Sequence, residues 1–466
     1  MRSKSSMAWL VVAALLVGGP ARAGDVAPAP SLPERAQALA DAARPLSAFQ
    51  TLVAGLHDAL PGLSADPRAA AEAEIALLQL ADLADELQAW PEVAEALGAL
   101  RAEAGAEVPP HVDFLLSWLH GVALRNVGRC EEARTLFDGL GYVNDVLVLG
   151  PFDNERGGGL DVAQPPETAI DLTAAVRGKE RDVRWRSNPC ADHPLKRLLL
   201  HELLRPRTQS LAYVATAVQA DAPRNVVLRL GSTGAFKVFL NGAVVASRNV
   251  ERPHAADQDL LVLPLQAGWN QLLVKSGVEE GDWTLELRFT DLDGRPLPQL
   301  PVSSAHVATP DGALRAATVA ALADAALPHP APEARQVLEQ AGDAAAERLL
   351  AEYHLLVHPD DRADKSARTA AERAVALAPD DVASLYLLSR AQETGADDKT
   401  ERQVGPRLAA LKDVLARAPD HAGALLDLAE FSIDDSPLPD RADDLTRRAL
   451  QAAPDSWRAA STRADW

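Results

Sequence analysis

The apolar positions of this chain keep two different spacings. Between residues 145 and 289 they alternate with polar ones, whereas on both sides they return every three to four positions in stretches rich in Ala and Leu. Alternation places one side-chain set on each face of a strand, and a 3.6-residue return draws an apolar stripe along a helix. Residues 70–87 carry Ile75, Leu78, Leu80, Leu83 and Leu87 near helical spacing, and residues 93–104 continue the pattern. Residues 114–126, a turn at Gly128 and residues 130–137 predict a helix pair. In it Gly121 and Ala133 permit close approach, and Leu116, Leu119, Leu136 and Phe137 supply apolar area. In the middle block Trp283, Leu285, Leu287 and Phe289 alternate with Thr284, Glu286, Arg288 and Thr290, which predicts one buried face and one wet face. Val226, Leu228 and Leu230 repeat the alternation. Phe236, Val238 and Leu240 run into Asn241-Gly242, a pair suited to a type I′ hairpin because both positions accept positive φ. Residues 261–265 and 272–275 supply further strands.

In the last third, Ala374-Val-Ala-Leu-Ala-Pro-Asp380, Val414-Leu-Ala-Arg-Ala-Pro-Asp420 and Ala449-Leu-Gln-Ala-Ala-Pro-Asp455 each end a helical pattern in Pro-Asp, at intervals of 40 and 35 residues. Proline stops one helix and an aspartate caps the next, the role expected of Asp381 before residues 382–390 and of Asp420 before residues 422–431. This spacing resembles a tetratricopeptide array, whose period is near 34 residues. Such repeats bury their apolar faces by stacking and expose a concave surface, most often used to bind protein or peptide.

Val238-Phe-Leu-Asn-Gly242 followed by Leu265-Gln-Ala-Gly-Trp-Asn-Gln-Leu-Leu-Val-Lys275 resembles the jelly-roll sandwich of galactose-binding-like domains. Together with Leu149-Gly-Pro-Phe-Asp-Asn154, Pro165-Pro-Glu167 and Val183-Arg-Trp-Arg186, the order is similar to the N-terminal part of large exported bacterial transglutaminase-like proteins. The expected fold class is therefore α+β multidomain, with tetratricopeptide-like helical repeats flanking a central β-sandwich. The divisions are a helical domain over 34–140, the sandwich over 143–300 and C-terminal repeats over 310–466.

Residues 1–23 have a basic start, an apolar run and Ala21-Arg-Ala23, the grammar of a secretory signal cleaved after Ala23. Residues 24–33 form a Pro- and Ala-rich linker. The apolar run is half the length of a membrane span, so the mature chain is expected in the periplasm or outside the cell, without a span. Loss of Arg2, Lys4 and Arg22 takes the formal charge from −20 to −23, which disfavours nucleic acid. Lys196, Arg197, Arg205 and Arg207 form the one basic cluster and fit a solvated face. Cys130 and Cys190 are the only cysteines; in an oxidising compartment they either form one disulfide or stay as two buried thiols.

No catalytic constellation emerges, and no cofactor is expected. Cys130 lies beside Glu131 and Glu132, which raise a thiol pKa. Cys190, Asp192 and His193, with His201 further on, make one loose block where zinc sites show two tight ones. Asp291-Leu-Asp-Gly294 has the opening of a calcium loop without its later ligands and fits a turn. Gly157-Gly-Gly159 lacks the lysine and helix of a phosphate loop and fits a flexible segment. A sugar site on the sandwich would use an exposed aromatic ringed by polar groups. Trp269 with Asn270, and Trp185, are the candidates, while Trp283 is in phase with the core. The expected function is a non-catalytic exported scaffold whose repeats grip a protein or peptide. The alternatives are a carbohydrate-binding module on envelope glycan and the N-terminal region of a transglutaminase-like enzyme whose catalytic domain lies beyond residue 466.

Overall fold

The computed structural model describes residues 30–454, apart from 42–43, 105–107, 190–192, 253, 358–365, 393–400 and 435–438, together with positions 458 and 462. Its first part is helical: α1 (Leu32–Asp41), α2 (Pro45–Ala59), α3 (Pro67–Leu87), α4 (Trp90–Glu103), α5 (Pro110–Asn126) and α6 (Cys130–Asp138). The close approach expected of Gly121 is present, since a Cβ there would stand 2.7 Å from Phe137 Cζ. The signal and most of the linker lie outside the described residues. Among those residues, no helix is long and apolar enough to cross a membrane.

The middle part runs β1 (Leu147–Asp153), α7 (Pro165–Thr168), β2 (Val176–Arg177), β3 (Asp182–Val183), β4 (Arg186–Ser187), β5 (Leu198–Leu199) and α8 (Leu200–Leu203). It continues through β6 (Ser210–Ala220), β7 (Arg224–Ser232), β8 (Phe236–Leu240), β9 (Ala243–Arg248), β10 (Asp259–Leu265), β11 (Gly268–Val278), β12 (Thr284–Thr290) and β13 (Val302–Ser303). One antiparallel sheet has the order β4-β1-β6-β11-β8-β9, with β13 also on β6; a second has the order β10-β7-β12-β5. Their facing side chains share one core, in which Val214, Val238 and Val274 of the first meet Leu228, Leu263, Leu287 and Phe289 of the second. Trp283 is fully buried there, and its indole N–H donates to Ser276 Oγ at 3.0 Å. The β8–β9 hairpin turns on Asn241 (φ 50°) and Gly242 (φ 76°), the two positive values that an Asn-Gly pair accommodates.

The last part is α9 (Gly312–Leu322), α10 (Ala334–Ala341), α11 (Ala344–Val357), α12 (Ser366–Leu377), α13 (Val382–Ala391), α14 (Glu401–Arg417), α15 (Ala422–Asp434) and α16 (Pro439–Ala452). Consecutive helices pack in pairs, and both turns after α12 and α14 hold Pro-Asp. Asp381 caps α13 as expected, accepting from Ser384 N–H at 3.0 Å. The cap of α15 differs from expectation: His421, one residue after Asp420, accepts from Ala424 N–H through Nδ1 at 3.2 Å. The helix starts one position later than an aspartate cap required, and the imidazole reaches the free amide instead. Helix α9 also departs from its expected place among the repeats. It lies against β9 and β10, where Asn241 donates its side-chain amide to Thr318 Oγ1 at 2.9 Å.

The alternation in β12 predicted a wet face, yet all seven of its residues are buried. The second sheet's outer surface is covered mainly by connecting segments: Tyr142, Arg197 and His254 lie on Glu286, and Asp257 lies on Arg229 and Arg288, with Phe114 of α5 over Arg288 and Glu333 at the start of α10 on Arg229. Likewise Gly157-Gly-Gly159 is held rather than loose: a Cβ at Gly159 would lie 2.3 Å from Asp153 O, and its N–H donates to Asn154 Oδ1 at 3.1 Å.

The helical parts at the two ends of the chain touch each other. Ala71 and Ile75 of α3 share a core with Ala334 and Leu338 of α10 and Leu349 and Leu350 of α11. The β-rich part therefore leaves and re-enters one packed helical body. Arg229 of β7 fixes that junction. Its Nη1 donates to Asp257 Oδ2 at 3.1 Å and to Glu333 Oε1 at 2.5 Å, and its Nε donates to Thr290 Oγ1 at 3.1 Å. Arg288 donates to Asp257 as well, with its guanidinium carbon 3.5 Å from the Phe114 ring centroid. Burial works to raise the Asp257 carboxyl, but Arg288 and Arg229 outweigh it and hold the group below the usual carboxylate range. Burial pushes Glu286 up to about 7 despite Arg197 beside it, and drives His254 down to about 3, so that imidazole is neutral.

Candidate binding groove

A cavity of about 1270 Å³ opens where the two ends of the chain meet, walled by α1, α3, α11 and α13, with the starts of α15 and the turn before it. Its geometry begins with α1, which Ser31 and Glu34 start as a reciprocal cap: Ser31 N–H donates to Glu34 Oε2 at 2.8 Å and Glu34 N–H to Ser31 Oγ at 3.4 Å. The other Glu34 oxygen accepts from Arg348 Nε and Nη2 at 2.9 and 2.5 Å, and Arg348 Nη1 donates to Asp381 Oδ2 at 3.0 Å. One guanidinium thus ties the cap of α1 to the cap of α13. Burial favours the protonated Glu34 carboxyl, but the Ser31 amide and Arg348 together hold it below its ordinary value.

Deeper in, Gln37 of α1 donates to Asp41 Oδ1 at 2.7 Å, and Gln79 of α3 donates to Gln37 Oε1 at 3.3 Å. Arg390 of α13 donates to Glu352 Oε2 of α11 at 2.8 Å. Burial pushes the Asp41 carboxyl up to about 7; Arg390 and the Gln37 hydrogen bond oppose the rise, and the charges of Glu352 and Asp427 add to it. Gly423 allows α1 to reach α15, since a Cβ there would lie 2.7 Å from Asp41 O and 2.5 Å from the Tyr386 hydroxyl. The lining carries seven Asp and Glu side chains against three arginines and one histidine. Each arginine already has a carboxylate: Arg68 with Glu72, Arg348 with Glu34 and Asp381, Arg390 with Glu352.

The residues singled out from sequence lie elsewhere. Asn270 is fully buried at the start of β11. Its Oδ1 accepts from Gln266 N–H at 2.8 Å and from Asn241 at 2.9 Å, and its amide donates to Gln266 O and Gly268 O. With its polar atoms spent on that turn, it has none left for a sugar, which corrects its place among the ligand contacts. Trp269 is half-buried and stacks on His306 with ring centroids 3.9 Å apart. Trp185 packs against the cluster of Phe152, Val183 and Tyr213. Cys130 is an exposed free cysteine at the start of α6, and Cys190 lies outside the described residues. The basic cluster is dispersed: Lys196 pairs with Asp138 at 2.6 Å, Arg197 with Glu286 at 3.3 Å, and Arg205 donates to the Leu204 carbonyl. Asp291 accepts from the amides of Asp293 and Arg295, as a turn requires. Among the described residues no cluster of His, Cys, Asp and Glu is placed to hold a metal ion.

The groove was missed in the sequence because its walls lie more than 300 positions apart, as with Glu34 and Arg348. Its one local signal was Ser31-x-x-Glu34.

No family model matches the chain, and no curated protein matches it. Among solved structures it is similar over 31 % of its length to a β-glucosidase from Kluyveromyces marxianus, at 10 % identity and TM-score 0.21. The glucose complex of that β-glucosidase gives 11 % identity over 31 % of the chain and TM-score 0.20. A GH31 α-xylosidase from Xanthomonas citri gives 14 % identity over 32 % and TM-score 0.18. The chain spans about 16 % of the length of the β-glucosidase it matches first. Likenesses this partial carry no argument about fold or function.

Proposed function

We propose that this protein is an exported, non-catalytic scaffold whose helical repeats grip a polypeptide in the groove between α1, α3, α11 and α13. One observation carries the reading: a cavity of about 1270 Å³ on a stacked helical body, larger than the roughly 300–1,000 Å³ of small-molecule clefts and lined by fixed polar groups. Tetratricopeptide-like pairing of α11 through α16 and a galactose-binding-like sandwich for the two sheets belong to the same proposal. In it the sandwich holds the two helical ends in register. Selection of displayed random peptides against the whole chain tests the reading. Binders are expected to be lost with Ala383→Trp, which fills the exposed α13 wall of the groove. Binders indifferent to that substitution would sink it. Export is tested separately by the mass of the protein from its native envelope, expected to begin at Gly24.

A carbohydrate role draws less support. The face of Trp269 that a pyranose needs is shared with His306, and Asn270 has no hydrogen-bonding capacity left.

A further inference from the structure

We infer that the groove takes a cationic side chain, Lys or Arg, from a basic segment of its partner, received by Glu352, Gln79 and Asp41; this rests on the groove being the binding site. Glu352 is 5 % exposed and Gln79 4 % exposed. In each, the Oε1 oxygen is buried and accepts no hydrogen bond among the described residues. Both residues line the cavity. Desolvated acceptors without donors are costly, so two lining one cavity, from α3 and from α11, mark a place built for a donor from outside.

The chemistry of that donor follows from the neighbours. Among the described residues Glu352 spends only Oε2, on Arg390, and Asp41 beside them has Gln37 as its one side-chain donor. The three lining arginines are each held by carboxylates, which leaves an excess of negative charge over the whole cavity. An anion would meet Asp41 and Glu352 at close range, and a neutral apolar group would leave both oxygens unpaired. An ammonium or guanidinium group supplies several N–H donors and a positive charge together. A polypeptide is the expected source because the cavity opens along several helices, giving room for residues on both sides of the inserted one.

Fluorescence anisotropy on the whole chain tests this with a fluorescein-labelled ten-residue alternating Lys-Ala peptide, its Glu-Ala counterpart, and spermidine as a free amine. Saturable binding of the Lys-Ala peptide and none of the Glu-Ala peptide is expected. Affinity should fall about tenfold or more in both Glu352→Gln and Asp41→Asn, because each removes a charge-assisted contact. The more exposed Asp41 keeps the test open should Glu352→Gln fold poorly. Lys-Ala binding unchanged in both variants would mean attraction to the acidic surface at large and would overturn the inference. Spermidine binding as tightly as the peptide would overturn the polypeptide source. Selected peptides that are neutral, blocked by Ala383→Trp and not displaced by Lys-Ala would overturn the cation and leave the groove standing. Failure of Ala383→Trp to affect any peptide would remove the groove itself.

Discussion

Arg229→Met examines the junction between the β-rich part and the helical body. The side chain is 2 % exposed, and it serves two carboxylates and one hydroxyl from three different segments. Methionine keeps most of the volume and removes all three hydrogen bonds. Asp257 retains Arg288, but Glu333 is left at the start of α10 without its cation. Taking one partner from a buried ion pair typically costs about 3–5 kcal/mol, because the remaining charge has no compensation. With a urea dependence of about 3 kcal/mol per molar, that is a midpoint shift of roughly 1–1.7 M. Urea unfolding followed by tryptophan fluorescence measures it, and Arg229→Met with Glu333→Gln should recover at least half of the loss. A single variant within about 0.5 kcal/mol of the parent would refute the claim that these charges hold the junction.

The remaining predictions concern other sites. Asn270→Ala empties the β10–β11 turn of a fully buried amide, leaves the Gln266 backbone N–H without its acceptor and takes one of the two acceptors of the Asn241 amide; a loss of about 2–4 kcal/mol in urea unfolding is expected. In isolation, Gly423→Ala would favour a helix by up to about 1 kcal/mol. Here the new Cβ meets Asp41 O and the Tyr386 hydroxyl, so the variant should be less stable, and α1 should be cut faster in limited proteolysis. Burial raises Glu286 from 4.5 to about 7, so the folded state holds its proton at pH values where the unfolded chain has released it. Its stabilising contribution is full below about pH 4.5 and is lost as pH rises to about 7. Urea midpoints should fall across that window and flatten in Glu286→Gln.

Helix pairs and strands were legible because their signals are local. Gly121 facing Phe137, the Asn241-Gly242 turn and the Asp381 cap each depend on residues within about twenty positions. What could not be read was which faces would be covered. The polar positions Glu286 and Arg288 alternate with apolar ones as a solvent-facing set would, and it is distant segments carrying Tyr142, Arg197, His254, Asp257 and Phe114 that bury them. A buried ion network and a wet strand face have the same sequence pattern, since both place charge at every second residue. The groove was hidden for a related reason: Glu34, Gln79, Arg348 and Arg390 lie on separate helices and carry no motif in common.

The junction and the groove are one mechanical unit, and this follows from where Glu333 stands. It accepts from Arg229 on the sheet and also forms the reciprocal cap of α10 with Gln336. Helix α10 packs on α3 through Ala334, Leu338, Ala71 and Ile75, and α3 carries Arg68, Glu72 and Gln79 into the groove. Displacing the start of α10 therefore moves one groove wall against the α11 and α13 wall. A buried carboxylate acceptor tolerates little such movement, because a hydrogen bond weakens steeply once its angle falls toward 120°. Arg229→Met, which touches no groove residue, is accordingly expected to weaken Lys-Ala peptide binding under conditions where the chain stays folded, and Arg229→Met with Glu333→Gln to restore part of it. Unchanged affinity in a folded Arg229→Met protein would show that α3 keeps its place without the junction, and that the β-rich part is only carried by the helical body.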